Sequence, residues 1–252
     1  MPLTKRLVAH RGSPFRRPEN TLDGIQLAVD SGATLFEVDI QLTSDFVPIL
    51  YHDGDLQRIS GRPANVCEST WEELHHLHAS YPERFGDEFQ EIPIYSLEQL
   101  IKRLGDWPTA QVFIELKVES LKHFGIAKVV ETVLPLLAAA DPARIASVIS
   151  KDDKAIEQIK KLTSLPIGWV LPAWNETNSA RATELNLDFI FCNQTRLPAS
   201  NDDLWKGDWK WAIYTVNDVK KAEQLFDRGF DFVETDKIDE MISHFSDQSH
   251  EN

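Results

Sequence analysis

Nine short apolar runs recur along this chain, most of them followed by a stretch with helical periodicity, and that rhythm limits the available folds. The runs are Leu7–His10, Thr34–Ile40, Val47–His52, Val112–Lys117, Ile145–Ser150, Ile167–Leu171, Asp188–Cys192, Lys210–Thr215 and Asp231–Thr235. Between them, Thr21–Ser31 sets Leu22, Ile25 and Val29 on one face and stops at Gly32. Asp152–Leu162 aligns Ala155, Ile156 and Ile159, and Asn217–Arg228 aligns Val219, Ala222 and Leu225 before Gly229. Strand followed by amphipathic helix at this spacing predicts a parallel sheet covered by helices. One link is too short. Only Gln41–Phe46 separates the second run from the third, whereas a parallel crossover needs a dozen residues or more. Those two runs must therefore form an antiparallel hairpin. Setting aside its returning arm leaves eight parallel strands, which predicts a closed (β/α)8 barrel of the TIM type with a hairpin above its mouth.

A barrel of this kind takes roughly 250 residues, so residues 1–252 are expected to form a single domain. The segment Asp53–Gln111 breaks the rhythm and reads as a small insertion over the C-terminal mouth. Within it short helices are expected around Trp71–Leu77 and Leu97–Leu104. The polar tail from Ser243 to Asn252 is expected to fray.

Composition removes several classes of function. The formal charge is −14, from 40 acidic against 26 basic residues, and no basic run exists to neutralise nucleic-acid phosphates. No apolar stretch approaches the ~20 residues needed to span a bilayer, so no stable membrane insertion is expected. The start of the chain lacks the apolar core of an export signal, and Cys67 and Cys192 form no disulfide framework or metal knuckle. A cytoplasmic location is the expectation. Oligomeric state is not legible. An anionic substrate would need a local reversal of the field, which a bound metal ion supplies.

Chemistry-bearing side chains interrupt two of the apolar runs. Alternate residues of a strand share a face. In Leu35–Ile40, Glu37 and Asp39 therefore oppose Phe36, Val38 and Ile40; in Val112–Val118, Phe113, Glu115 and Lys117 oppose the aliphatic set. Carboxylates in strands this apolar need a partner or a proton. Three together suit a hard divalent cation such as Mg2+ or Ca2+, although Glu115 paired with Lys117 in an ion network would account for part of the pattern. His10 and His52 end two further runs, near enough to serve as general acid and base. A hairpin turning across Asp45-Phe46 would set His52 opposite Asp39. Arg11 offers a bidentate fork and Lys117 a point charge for an anionic group. Catalytic groups of such barrels gather at the C-terminal ends of the strands, where the first run delivers His10 and Arg11.

The ordered set His10-Arg11-Gly12, Pro18-Glu19-Asn20-Thr21, Glu37-Val38-Asp39, Thr43-x-Asp45, His52-Asp53 and Glu115-Leu116-Lys117 resembles the signature of the glycerophosphodiester phosphodiesterase family. Weaker echoes follow at Leu56-x-Arg58, Ile92-Pro93-x-Tyr95-Ser96-Leu97, Thr215-Val216-Asn217 and Thr235-Asp236, so the resemblance runs through nearly the whole chain. It implies a metal-dependent enzyme that hydrolyses glycerophosphodiesters to sn-glycerol 3-phosphate and an alcohol. It implies one divalent cation on Glu37, Asp39 and Glu115, and His10 and His52 as the acid–base pair. Arg11 and Lys117 would contact the phosphate, Asn20 would organise the first loop, and Asp53 would orient His52. The chain departs from the family where Asp45-Phe46 replaces Asp-Gly at the hairpin turn, where Ser150-Lys151-Asp152 replaces Ser-Ser-Phe, and where Lys237-Ile238 follows Thr235-Asp236 without the usual proline. Phe at a turn position that favours φ > 0 is unexpected.

Two other readings fit the same residues: a phosphodiesterase acting on lysophospholipids in the manner of lysophospholipase D, and a catalytically inactive barrel that binds phosphodiesters. His75, His76 and His78 read as a solvated face beside Trp71 and Leu74. The clustered tryptophans read as packing, with Trp174 the one candidate for stacking on a cationic headgroup.

Overall fold

The structure, a computed structural model, describes residues 1–198 and 204–247. Nine strands form its centre: β1 (Leu7–His10), β2 (Leu35–Leu42), β3 (Pro48–Leu50), β4 (Gln111–Leu116), β5 (Ile145–Ser150), β6 (Ile167–Val170), β7 (Phe189–Asn193), β8 (Lys210–Tyr214) and β9 (Phe232–Thr235). The sheet runs β1-β9-β8-β7-β6-β5-β4-β2 and closes through a β1–β2 pairing, while β3 adds to β2 alone. Eight parallel strands thus make the TIM-type barrel, and β3 is the antiparallel arm of the hairpin.

Two apolar layers hold the barrel. Outward-facing Phe36, Val38, Val112, Ile114 and Ile190 pack under the helices with Ile25, Val133 and Ile156. Inward-facing Val8, Leu35, Phe113, Phe189, Phe191 and Phe232 fill the lumen. Phe113 is the hub, with edge-on contacts to Phe189 at 5.2 Å and Phe191 at 5.1 Å between centroids. Each such buried ring contributes roughly 2–3 kcal/mol of apolar burial. The ring layer also excludes water from below the polar residues that follow on the same strand faces.

Helix starts coincide with the expected caps. The Thr21 hydroxyl accepts from the Gly24 N–H at 3.1 Å at the head of helix Leu22–Asp30, a contact worth about 1 kcal/mol. Asp152 and Asp218 do the same for helices Asp153–Leu162 and Val219–Asp227. Gly12 lies at φ 89°, and a Cβ there would meet the Gly24 carbonyl carbon and the Ile25 nitrogen at 2.8 Å. Only glycine lets the chain after β1 lie against this helix start.

The hairpin differs from expectation by one residue. Ile40 pairs with Leu50 and Leu42 with Pro48, and the Tyr51 N–H donates to the Asp39 carbonyl at 3.0 Å. Tyr51, not His52, therefore stands opposite Asp39. The cause is a three-residue loop, Ser44–Phe46, in which the Phe46 N–H bonds the Thr43 carbonyl at 2.9 Å and Phe46 takes φ 65°. A turn closed by one left-handed residue is a regular three-residue hairpin connection. Phe46 is kept there by an edge-on contact with Phe124 at 5.3 Å and by Lys128 Nζ 3.9 Å from its ring centre.

The insertion and the returning arm of the hairpin share a second small core of Ile49, Tyr51, Leu56, Ile59, Val66, Leu74, Ala79 and Ile94. Of the two helices expected there, one spans Trp71–Leu74, three residues less than expected, and the other Leu97–Leu104 as expected; Gln57–Ser60 and Pro82–Phe85 add two further short turns of helix. The tail does not fray where expected: Ser243–Asp247 continue helix Ile238–Asp247, because Met241 and Phe245 pack into the main core. The rest of the tail lies outside the described residues.

Candidate active site

Strand register builds the site. His10 aligns with Glu37 across β1 and β2, Asp39 aligns with Glu115 across β2 and β4, and Glu234 stands on the neighbouring β9 beside Val8. Alternation then projects Glu37, Asp39, Glu115 and Glu234 into the lumen, above the phenylalanine layer. All four are nearly closed to solvent, the most exposed being Glu115 at 8%. Glu37, Glu115 and Glu234 border a cavity of about 250 Å³ at the C-terminal ends of the strands, lined also by His10, Arg11, His52 and Lys117. A larger cavity of about 790 Å³ opens at the opposite end of the barrel, between Leu35, Phe113, Phe189 and Phe232, and holds none of the candidate residues.

Two cations neutralise part of the cluster. Lys117 Nζ lies 3.0 Å from Asp39 Oδ1 and 3.2 Å from Glu115 Oε1. Arg11 Nε lies 2.9 Å from Asp39 Oδ2, and its Nη1 donates to Glu19 Oε1 at 2.8 Å. Burial alone would push the Asp39 carboxyl up, yet Arg11 and Lys117 hold it well below the usual range. For Glu37 the pull of Arg11 is outweighed. Both Glu37 oxygens are buried without a hydrogen-bond partner, and burial, together with Asp39, Glu234 and Glu115, pushes its carboxyl well up. A buried carboxylate in that state needs a proton or a cation. One oxygen each from Glu37, Asp39 and Glu115 fall within 4.8 Å of one another, so the three can hold a divalent ion with oxygen donors.

The two histidines are fixed alike. His10 Nδ1 is 2.7 Å from Asp236 Oδ1, and His52 Nδ1 is 2.6 Å from Asp53 Oδ1. Despite burial, which raises both aspartates, the bonded histidines and neighbouring cations depress their pKa values. An ionised carboxylate only accepts, so each Nδ1 carries the proton and each Nε2 is left for other chemistry. Burial and the adjacent Arg11 lower the pKa of His10.

Further residues support this arrangement from positions to which sequence reasoning gave no role. Arg58 Nε donates to Asp53 Oδ2 at 2.7 Å, while its Nη1 and Nη2 grip both Glu19 oxygens at 2.7 and 2.8 Å. Glu19 and Arg58 thereby tie the Arg11 side to the His52 side. Gln41 Nε2 donates to the His52 and Asp53 carbonyls, both at 3.3 Å, and Ser120 holds its other end at 2.5 Å. Asn217 Nδ2 donates to Asp236 Oδ2 at 2.9 Å. Asn20, expected to organise the first loop, binds Asp39 as that loop turns back. Of the site residues expected from the sequence, His10, Arg11, Glu37, His52, Glu115 and Lys117 line one cavity, Asp39 joins them through Arg11 and Lys117, and Asn20 and Asp53 support Asp39 and His52. Glu234 is the carboxylate that was missed, although the alternation in Phe232-Val233-Glu234 carries the same signal as Glu37 and Asp39.

Two peripheral groups lie away from this cavity. Trp174 does not present a free ring, since it stacks on Trp205 at 4.4 Å and packs against Trp211 at 5.3 Å. His75 and His76 are partly open to solvent as expected, but with Glu72 their ligand atoms come within 4.8 Å of one another.

Comparison with known proteins agrees with this geometry. The chain is similar to mouse glycerophosphodiester phosphodiesterase 1, 37% identical over 94 residues, which is 37% of this chain and 28% of the mouse protein's length. It is similar over most of both lengths to a glycerophosphodiester phosphodiesterase of Caldanaerobacter subterraneus subsp. tengcongensis, 26% identical over 243 residues, 94% and 96% of the two chains. The fold matches that of an Oleispira antarctica phosphodiesterase solved in complex with the product sn-glycerol-3-phosphate: the TM-score is 0.84 at 24% identity, with 96% of each chain covered. Residues 10–240 match the pattern of one family across almost the whole barrel, and by that match the chain belongs to the glycerophosphoryl diester phosphodiesterase family.

Proposed function

We propose that this chain hydrolyses glycerophosphodiesters to sn-glycerol 3-phosphate and an alcohol, using one divalent cation, Mg2+ or Ca2+, and two histidines. The observation that carries the reading is the pair of carboxylate-anchored imidazoles, His10–Asp236 and His52–Asp53, on the cavity that the buried acidic cluster lines. Family membership supports the substrate class, and the unpartnered Glu37 carboxylate supports a cation on Glu37, Asp39 and Glu115. When bound there, such an ion offsets charge on the phosphate and makes a hydroxyl nucleophile easier to deprotonate.

The remaining work falls to the protein's own groups. One histidine accepts at Nε2 the proton of the attacking hydroxyl and the other delivers a proton to the departing alkoxide; attack by water gives the phosphomonoester directly, whereas attack by the glycerol 2-hydroxyl gives a cyclic phosphate that one water then opens with the two histidines in exchanged roles. Asp53 and Asp236 keep each ring in the tautomer this requires and stabilise its charged form. Arg11 and Lys117, already bound to Asp39, face the cavity with fixed positive charge that favours the added negative charge of the transition state. A cavity of about 250 Å³ with a polar lining suits a deacylated headgroup. Among the described residues no helix is long and apolar enough to cross a membrane. Both cysteines are buried and free, which fits the reducing cytoplasm as the proposed location.

Single substitutions test the pair. His10→Ala and His52→Ala should each lower kcat on glycerophosphocholine by at least 100-fold with the melting curve retained, in line with the 10²–10⁴-fold worth of a positioned acid or base. Wild-type turnover in either folded variant would remove that histidine from the chemistry.

A further inference from the structure

The cluster contains more ligating groups than one three-carboxylate site uses. One ring nitrogen of His10 and one oxygen each of Glu37 and Glu234 lie within 4.8 Å of one another. Glu234 is 3% exposed and its Oε1 has no hydrogen-bond partner, as neither Glu37 oxygen has. Both carboxylates line the cavity together with His10. Among the described residues Lys117 and Arg11 are engaged with Asp39, Glu115 and Glu19, so neither cation bonds the Glu37 and Glu234 oxygens that stand open.

We propose that His10, Glu37 and Glu234 form a second cation site, distinct in chemistry from the three-carboxylate site, that takes a divalent transition-metal ion such as Zn2+. The donor set decides the ion. Three carboxylates suit hard Mg2+ or Ca2+, whereas one imidazole with two carboxylates suits Zn2+ and its neighbours. The imidazole is already dressed for the task. Asp236 fixes Nδ1 at 2.7 Å and Asn217 fixes Asp236, the carboxylate–histidine relay that orients an Nε2 ligand and raises its basicity. Ligand bonds of about 2 Å require donor atoms within roughly 4 Å of each other, a modest contraction from the present spread.

Glu37 belongs to both sites, so the two ions compete for it or share it. His10 cannot bind an ion and exchange protons at the same nitrogen. Occupation of the second site therefore arrests turnover, which gives the enzyme an inhibitory response to excess Zn2+. That consequence rests on the acid–base reading of His10 given above; the binding site itself does not.

The test is calorimetric titration of ZnCl2 into Mg2+-saturated chain carrying His76→Ala, which removes the exposed Glu72–His75–His76 group as a competitor. One Zn2+ should bind per chain, and Glu234→Gln and His10→Asn should each weaken it at least tenfold, the usual scale for losing a ligand or its support. Circular dichroism establishes that each variant is folded; if Glu234→Gln is not, His10→Asn decides alone. Hydrolysis of glycerophosphocholine with Mg2+ is followed on the same samples, and the Zn2+ concentration for half-inhibition should rise at least tenfold in Glu234→Gln relative to that variant's own uninhibited rate. Zn2+ binding of unchanged affinity and stoichiometry in the folded variants would overturn the site. Hydrolysis without Glu234-dependent Zn2+ binding overturns this inference alone, whereas Glu234-dependent binding without hydrolysis overturns the assigned activity alone.

Discussion

Asn20 holds Asp39 at two points: its Nδ2 donates to Asp39 Oδ2 at 2.9 Å, and its Oδ1 accepts the Asp39 backbone N–H at 3.0 Å. Asn20 sits at φ 57°, a conformation that asparagine tolerates better than most residues. The loop after β1 is therefore clamped to the strand that carries two of the three proposed ligands. Asn20→Ala removes two buried hydrogen bonds and should cost about 2–3 kcal/mol of stability, measured by urea denaturation. It should also weaken Mg2+ or Ca2+ binding roughly 10- to 100-fold; calorimetry showing unchanged affinity would detach Asn20 from the cation.

The aspartates behind the histidines should matter nearly as much as the histidines. In Asp53→Asn or Asp236→Asn the amide can donate to Nδ1, which favours the wrong tautomer. Each change should lower kcat by about 10- to 100-fold with little change in KM. Steady-state kinetics checks this, and a loss confined to KM would assign these residues to substrate binding instead.

Glu37 makes a prediction about pH. Its folded pKa lies well above the ordinary 4.5, because burial and three neighbouring carboxylates oppose its charge. A raised carboxyl costs the fold nothing while both states are protonated, below about pH 4.5, and destabilises it increasingly as pH climbs from there. Metal-free Glu37→Gln should thus be more stable than metal-free wild type at pH 7, by on the order of 2 kcal/mol, and the gain should vanish toward pH 4. Adding Mg2+ or Ca2+ should stabilise wild type and leave the variant unmoved. Thermal melts across pH, with and without cation, read both effects.

Phe46 sets two costs against each other. Glycine would relieve a left-handed φ of 65° but lose the contacts with Phe124 and Lys128, each term being about 1 kcal/mol. Phe46→Gly should therefore stay within about 1 kcal/mol of wild type. Phe46→Ala, which loses the ring and keeps the strain, should be the less stable of the two; the reverse order would mean that the turn is not strained.

Those cases mark what was readable from the chain. Strand periodicity sufficed for the barrel, and the alternation in Leu35–Ile40 and Val112–Val118 sufficed to bring Glu37, Asp39 and Glu115 together. Glu234 follows the same rule, but its partner in the alternation, Asp236, lies just past the strand end at Thr235. The hairpin register slipped by one because loop length rests on whether Phe46 accepts φ > 0, which depends on Phe124 and Lys128 in two helices distant in sequence. The Arg58–Glu19 and Gln41–Ser120 links join residues far apart in sequence. Only the closed barrel and the folded insertion create them.

The central claim is that a cation on the buried acidic cluster and two anchored imidazoles cleave a glycerophosphodiester. Its most direct test is ³¹P NMR of glycerophosphocholine incubated with the chelated protein, before and after addition of Mg2+ or Ca2+. The prediction is no product under chelation and stoichiometric sn-glycerol 3-phosphate once the ion is restored. Undiminished hydrolysis in the chelator, or an unchanged substrate signal with either ion, would contradict it.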